Sequence, residues 1–93
     1  MEVNMQKYLC CSINPFTVQQ SIALCDPVTN TSTIIATLDL GSIPATLSHA
    51  SYNYGISKVY LFGPSELLQD ITEQTYDFHK HTFNTNLTIE INP

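Results

Sequence analysis

YLCCSINP, residues 8–15, is the stretch from which the rest of the chain can be interpreted. Residues 8–13 form a nearly continuous apolar run, and Asn14 and Pro15 end it because proline has no N–H for a strand ladder. A continuous run of this length is typical of a strand buried on both faces, whereas a half-exposed strand alternates apolar with polar residues. We therefore expect residues 8–13 to form the central strand of a sheet.

Two β-rich runs and a helical segment follow this strand. Residues 21–25 and 33–38 flank a turn-rich linker, so they are predicted to form an antiparallel hairpin. Apolar residues then recur at helical spacing over residues 42–54, which predicts a first helix with Ser42 as its N-cap.

The second half of the chain predicts a strand, a helix and another strand. Residues 58–62 are almost continuously apolar, and Gly63 and Pro64 end the run. A helix that begins at Ser65 carries apolar residues along one side and acidic residues along the other. Residues 87–91 alternate strictly between apolar and polar, which indicates a half-exposed edge strand.

These segments give the order βββαβαβ in a single domain, residues 1–93, with residues 1–7 as a flexible N-terminal segment. Two β-α-β crossovers after a meander require the fourth and fifth strands to run parallel to the first. We therefore predict an α/β fold with a mixed five-stranded sheet and helices packed on it. The predicted core consists of Leu9, Cys11, Ile13, Ile22, Leu24, Ile35, Leu47, Val59, Leu61, Leu68, Ile71 and Phe78.

Composition restricts the function. A chain of 93 residues buries only a small core, which favours association with a partner or with itself. The net charge is −5, with three lysines and no arginine, so nucleic-acid binding is disfavoured because lysine and arginine supply phosphate and base contacts. About a third of the chain is Ser, Thr, Asn or Gln, and only 12% is charged. Such a surface is typical of virion or other assembly proteins, although an AT-rich genome would also enrich several of these residues.

The three cysteines indicate buried free thiols, because they lie inside apolar runs without metal-ligand spacing. The sequence does not decide whether Cys25 forms a disulfide with Cys10 or with Cys11. Adjacent cysteines on a strand point to opposite faces, so only one of the two can meet Cys25. The sequence shows no signal peptide and no apolar stretch long enough to cross a membrane, so we expect a cytoplasmic or virion protein.

The element order, together with residues 12–15, Ser-Ile-Asn-Pro, followed by a hairpin, resembles the start of RuvC-type Holliday-junction resolvases in the ribonuclease-H-like superfamily. The resemblance covers almost the whole chain in element order, which actin-like half-domains also share. Metal-dependent cleavage in the family uses a carboxylate on the first strand, one in or after the first helix, one near the end of the fourth strand, and a final acid or histidine on a later helix.

This chain departs from the family pattern at three of those places. Asn14 stands where the first carboxylate is expected, residues 42–54 contain no acid, and the fourth strand ends in Phe62-Gly63-Pro64. A neutral amide oxygen supplies no charge to offset the dehydration of a divalent ion. We therefore expect no enzymatic activity, no metal and no cofactor.

The expected function is that of a non-enzymatic structural or accessory interaction module, for example in a phage or viral particle, which assembles as a homo-oligomer or with a protein partner. A degenerate RuvC-like nuclease relative that still contacts nucleic acid is the alternative, and the acidic charge disfavours it.

The predicted interface has two parts, an edge strand and an acidic helix stripe. An edge strand with a single charge has little to block pairing with another chain. The acidic stripe could meet a basic partner, although the pattern favours a solvated helix face. The residues are Leu87, Thr88, Ile89, Glu90 and Ile91 on the edge, and Glu66, Asp70, Glu73 and Asp77 on the helix.

The histidines are predicted to be solvated. His79 and His81, with Lys80, fall in the last turn of the second helix, where cationic groups suit the helix dipole. A surface metal held by Asp77, His79 and His81 is disfavoured because no other element supplies the remaining ligands. His49 is expected to be exposed.

Overall fold

A computed structural model describes residues 6–93, so the first five residues of the expected flexible segment, residues 1–7, lie outside the described part. Within it the chain forms a single sheet with helices packed on it. The elements are β1 Tyr8–Ser12, β2 Gln20–Asp26, β3 Thr31–Leu38, α1 Ile43–Asn53, β4 Lys58–Phe62, α2 Ser65–Thr82 and β5 Thr88–Asn92. A 3₁₀ turn, Leu40–Ser42, comes between β3 and α1.

The sheet has five strands in the order β3-β2-β1-β4-β5. β1 pairs antiparallel with β2 and parallel with β4, and β4 pairs parallel with β5. The α/β class, the mixed sheet and the central place of β1 are therefore confirmed. The observed series differs from the predicted βββαβαβ by the 3₁₀ turn before α1, and the strands do not follow chain order across the sheet.

Both helices lie on the same face of the sheet. The crossovers from β3 to β4 and from β4 to β5 proceed in the same direction across the sheet, and right-handed connections then place both helices on one side. Leu47 of α1 and Leu68 of α2 share one core cluster with the alternate β1 residues Leu9 and Cys11. The two helices also pack against each other.

The other face of the sheet is not covered by any element of residues 6–93. The intervening β1 residues Tyr8 and Cys10 are half-buried, and Ser12 is exposed. The prediction that β1 is buried on both faces is therefore wrong for this chain. The apolar composition of β1 is typical of a strand covered on both faces. The right-handed crossovers, however, place both helices on the same face of the sheet.

Most of the predicted core is confirmed, namely Leu9, Cys11, Ile13, Ile22, Leu47, Val59, Leu61, Leu68 and Ile71. Leu24 and Ile35 are partly buried against this cluster. Phe78 is half-buried outside it, with its ring against that of His49. The core also contains four residues that were not predicted, namely Ile43, Ala50, Ile56 and Leu87.

Gly63 allows β4 to end directly against β1. Its φ is +147°, and a Cβ at this position would lie 2.6 Å from the main-chain oxygen of Ile13. A side chain would therefore push apart the two strands, which are joined here by the Ile13 N–H donating to the Phe62 carbonyl at 2.7 Å. The predicted strand end at Gly63 is thus also a position that only glycine fits.

A candidate interaction site on the uncovered sheet face

Asn14 lies at the end of β1, where the nuclease-like pattern has a carboxylate. Its Oδ1 accepts the N–H of Phe16 at 3.0 Å, which closes an Asx turn. Gln20, which is buried, accepts the Asn14 N–H at 2.8 Å and donates from Nε2 to the Asn14 carbonyl at 2.8 Å. The amide at position 14 therefore orders the loop between β1 and β2.

This ordered loop displays two apolar side chains to solvent. Phe16 is 94% exposed and Val18 is 89% exposed. Thr17 adds hydrogen bonds from its hydroxyl to the carbonyls of Asn14 and Gln19, both at 3.0 Å. Because the backbone is held from several sides, the loop presents these side chains in a defined position beside the carboxyl ends of β1 and β4.

The uncovered face of the sheet carries an apolar and aromatic centre, which we call the open face. The strand register places Cys10 between Ala23 of β2 and Tyr60 of β4, and Ile34 of β3 opposite Ala23. Ile34 is 65% exposed and Phe62 is 39% exposed. The open face consists of Tyr8, Cys10, Ala23, Ile34, Tyr60 and Phe62.

Aromatic contacts organise the open face. The rings of Tyr8 and Tyr60 meet edge to face, with centroids 5.2 Å apart. The Lys58 ammonium lies 5.3 Å from the Tyr60 centroid and 3.4 Å from a carboxylate oxygen of Glu90. A depression of about 310 Å³ is lined by Tyr8, Cys10, Tyr60 and Phe62. Its lining of rings and a thiol suits an apolar side chain from another protein.

The cysteines divide between the two faces of the sheet. Cys10 Sγ lies 3.5 Å from Cys25 Sγ on the open side, whereas Cys11 is buried in the core, and all three thiols are free. Burial raises the pKa of Cys10 to about 12, with the contact to Cys25 adding to the effect, and burial alone raises the pKa of Cys11 to about 12. Both thiols therefore stay protonated near neutral pH and are weak nucleophiles.

His79 is not a solvated group at the end of α2, so that prediction is wrong. It is 3% exposed, and its Nδ1 lies 2.7 Å from Ser48 Oγ of α1 while its Nε2 lies 2.7 Å from Thr85 Oγ1. Burial lowers its pKa from the ordinary value. Ser48 is completely buried, and its contact with His79 joins the two helices. His49 is exposed, as predicted.

The predicted edge residues divide between core and surface. β5 is an edge strand, but Leu87 precedes it and is only 9% exposed within the core, which removes its side chain from the surface. Ile89 and Ile91 pack against the core, whereas Thr88 and Glu90 are exposed. The edge strand was predicted one residue too early.

The free edge of β5 is partly closed by α2. The Ile89 N–H, which does not face β4, donates to the hydroxyl of Tyr76 at 2.8 Å. One of the donors that a docking strand would need is therefore already engaged. This contact joins residues thirteen positions apart, and the sequence carried no signal for it.

The acidic stripe of α2 lies on the helical side of the molecule. Glu66, Asp70, Glu73 and Asp77 are all exposed, and the buried residues of α2 lie on its other side. Within residues 6–93, no three His, Cys, Asp or Glu side chains are placed to hold a metal ion. The stripe and the open face therefore point away from each other and would meet different surroundings.

Comparison with known proteins adds no family assignment. No protein-family model matches the chain, and no curated protein matches it. Among residues 6–93, neither helix combines the length and the apolar character that crossing a bilayer requires.

Proposed function

We propose that the protein is a non-enzymatic interaction module with a ribonuclease-H-like fold, which binds another protein surface through its open face. The observation that supports the proposal is that the two strands carry apolar residues on a side of the sheet that neither helix covers. β1 and β4 carry apolar or aromatic residues on both sides, and the helices cover only one side.

The energetics support docking at this face. Each square ångström of apolar surface removed from water contributes about 25 cal/mol, and aromatic side chains dominate such interfaces. Tyr8, Tyr60 and Phe62 form an aromatic centre, surrounded by small polar residues on the neighbouring strands. An apolar centre with a polar rim is the usual anatomy of a protein interface.

Chemical features of the chain support a role without catalysis. The Asn14 oxygen is engaged in its own loop, the pKa values of Cys10 and Cys11 are raised, and Ser48 is buried where α1 contacts α2. The meander followed by two crossovers supports the ribonuclease-H-like classification. The weakly charged surface, rich in Ser, Thr, Asn and Gln, supports a place in a larger assembly, of which a virion is one kind.

The proposal is tested by the native size of the tagged chain in an extract of its source. We expect the wild type to sediment as a complex larger than its own 10.4 kDa, and Phe62→Glu to sediment as the free chain, because a buried unpaired carboxylate is costly. Tyr54→Glu is the matched control, since Tyr54 is an aromatic residue 52% exposed at the end of α1. A wild-type chain of monomer size, or a complex that survives Phe62→Glu, would contradict the proposal.

A further inference from the structure

The open face points to a specific occupant. We propose that a second copy of this chain covers it, packed face to face about a two-fold axis, so that two five-stranded sheets form a sandwich. This inference rests on the proposed function and specifies the partner.

Charge favours a second copy at this face over the acidic side of the molecule. The whole chain carries −5, so two copies repel each other unless neutral surfaces meet. The charged side chains that the strands direct to the open side are Lys58 and Glu90, which neutralise each other. The acidic stripe of α2 would instead place four carboxylates opposite four carboxylates. Charge therefore opposes self-association less at the open face than at the acidic stripe.

The same pair of charges suits two-fold symmetry. In an isologous interface, if one residue contacts a second residue of the other copy, the two-fold axis generates the same contact with the copies exchanged. Lys58 of one copy can then approach Glu90 of the other, and the reverse contact follows from the symmetry. Lys58 and Glu90 side chains are 37% and 53% exposed, which leaves both able to make this second contact.

The size of the open side also fits a sheet-on-sheet pair. Five strands spaced by ~4.8 Å and each about 17 Å long give a plan area of roughly 400 Å² per copy. Two copies together give roughly 800 Å², and side chains that project from the sheet raise the accessible area above this value, so the interface falls among weak or transient ones, which bury less than about 1,200 Å². Such an interface predicts a dimer whose population depends on protein concentration.

The polar rim matches the requirements of a sandwich. Four small hydroxyl residues surround the apolar centre and are exposed, namely Ser12, Ser21, Ser32 and Thr37. Their side chains are short, so two sheets can approach to the usual separation of ~10 Å while the rings of Tyr8, Tyr60 and Phe62 fill the centre. The two charged residues that the strands direct to this side, Lys58 and Glu90, pair with each other.

Edge-to-edge pairing is the competing geometry. β3 is an edge strand of eight residues without charge or proline. Its pairing with β2 is interrupted by a register shift between Ile22 and Ala23 of β2. Pairing of β3 with its counterpart would extend the sheet and leave the open face exposed. The alternating sequence favoured pairing through β5. A strand that pairs there must displace the hydrogen bond from the Ile89 N–H to the Tyr76 hydroxyl.

The first test measures the mass of the purified protein by sedimentation equilibrium over a range of concentrations. We expect the wild type to reach twice its 10.4 kDa. Phe62→Glu and Ile34→Glu should each raise the dimer dissociation constant at least about tenfold, since each would bury an unpaired carboxylate within the interface. Tyr54→Glu should leave the constant unchanged, and circular dichroism melts should show that all variants fold.

The second test locates the interface. Hydroxyl-radical labelling should show Tyr8, Tyr60 and Phe62 protected as concentration rises, while Tyr52 and Tyr54 stay labelled. A wild type that remains monomeric throughout would overturn the dimer, and if the complex in the source extract still requires Phe62, the proposed function survives with another partner. A dimer that protects the amides of β3 or β5 in hydrogen exchange, and leaves these rings labelled, would overturn the face-to-face geometry.

Discussion

His79 joins three parts of the chain through one imidazole ring. Its two nitrogens lie 2.7 Å from the hydroxyls of Ser48 and Thr85, and these three residues belong to α1, α2 and the segment before β5. A neutral ring satisfies both hydroxyls, one as donor and one as acceptor, without the cost of burying a charge. Burial therefore lowers the pKa of His79 and favours the neutral form in the folded chain.

We predict that the protein loses stability as the pH falls below the ordinary histidine pKa of 6.5. Above this pH the ring is neutral in both states, so its contribution is complete. As the pH falls, the unfolded chain takes up the proton first, and the free energy of unfolding decreases until the lowered folded pKa is reached. Urea unfolding at pH 7.5, 6.5 and 5.5 should show this trend in the wild type.

Substitution separates His79 from the other titrating groups. His79→Gln should be less stable at pH 7.5 but should lose part of the pH dependence, because glutamine keeps a donor and an acceptor and does not titrate. His49→Gln is the matched control, since His49 is exposed on the neighbouring helix. Equal pH dependence in the wild type and His79→Gln would show that the buried ring does not control stability.

At the scale of elements, β1 and β4 form the centre of the molecule. They pair in parallel from Leu9 and Val59 to Ser12 and Phe62, and their inward residues are completely buried between the helices and the neighbouring strands. Gly63 lets β4 end against the carbonyl of Ile13. The same two strands supply the inner core and the centre of the open face. A substitution on the core side therefore tests stability, and a substitution on the open side tests association.

We predict that Leu61→Ala lowers the free energy of unfolding by about 2–5 kcal/mol, because it leaves a cavity beneath both helices. Leu61 is completely buried on β4. Ile34→Ala is the matched control on the open side and should change the free energy by less than about 0.5 kcal/mol in the monomer. The values come from urea unfolding at a concentration where the chain is monomeric, and wild-type-like unfolding of Leu61→Ala would show that β4 is not central to the core.

At the scale of the whole molecule, charge and apolar surface are separated. The helical side carries four exposed acids, and the sheet side carries the neutral open face. This arrangement disfavours contact with nucleic acid, because the four acids of the helical side repel phosphate and Lys58, on the open side, is paired with Glu90.

We predict no divalent-metal-dependent cleavage of branched DNA, RNA–DNA hybrid or single strands, and no measurable duplex binding at physiological salt. The physical reason is the amide of Asn14, whose oxygen already accepts the Phe16 N–H, together with the net charge of −5. Cleavage assays with magnesium and manganese, with chelator controls, check the first part, and fluorescence anisotropy across a salt series checks the second. Chelator-sensitive cleavage that Asp26→Asn or Glu66→Gln abolishes would establish a nuclease site.

The sequence by itself determined the elements and the centre of the sheet. The apolar run at residues 8–13 predicted the central strand, the run at residues 58–62 predicted a further strand, and the 3.6-residue period predicted both helices. These features depend on residues close together in the chain, so periodicity and turn chemistry are sufficient to predict them. The two β-α-β connections then required parallel pairing of the later strands.

Only the tertiary structure decided which side chains from distant segments meet. It placed Cys10 rather than Cys11 beside Cys25, buried His79 between Ser48 and Thr85, and moved Leu87 from the predicted interface into the core. Strand register and helix packing determine such contacts, and neither can be read from the local pattern of one segment. For the same reason, the continuous apolar run of β1 predicted two covered faces, while the direction of the crossovers left one open.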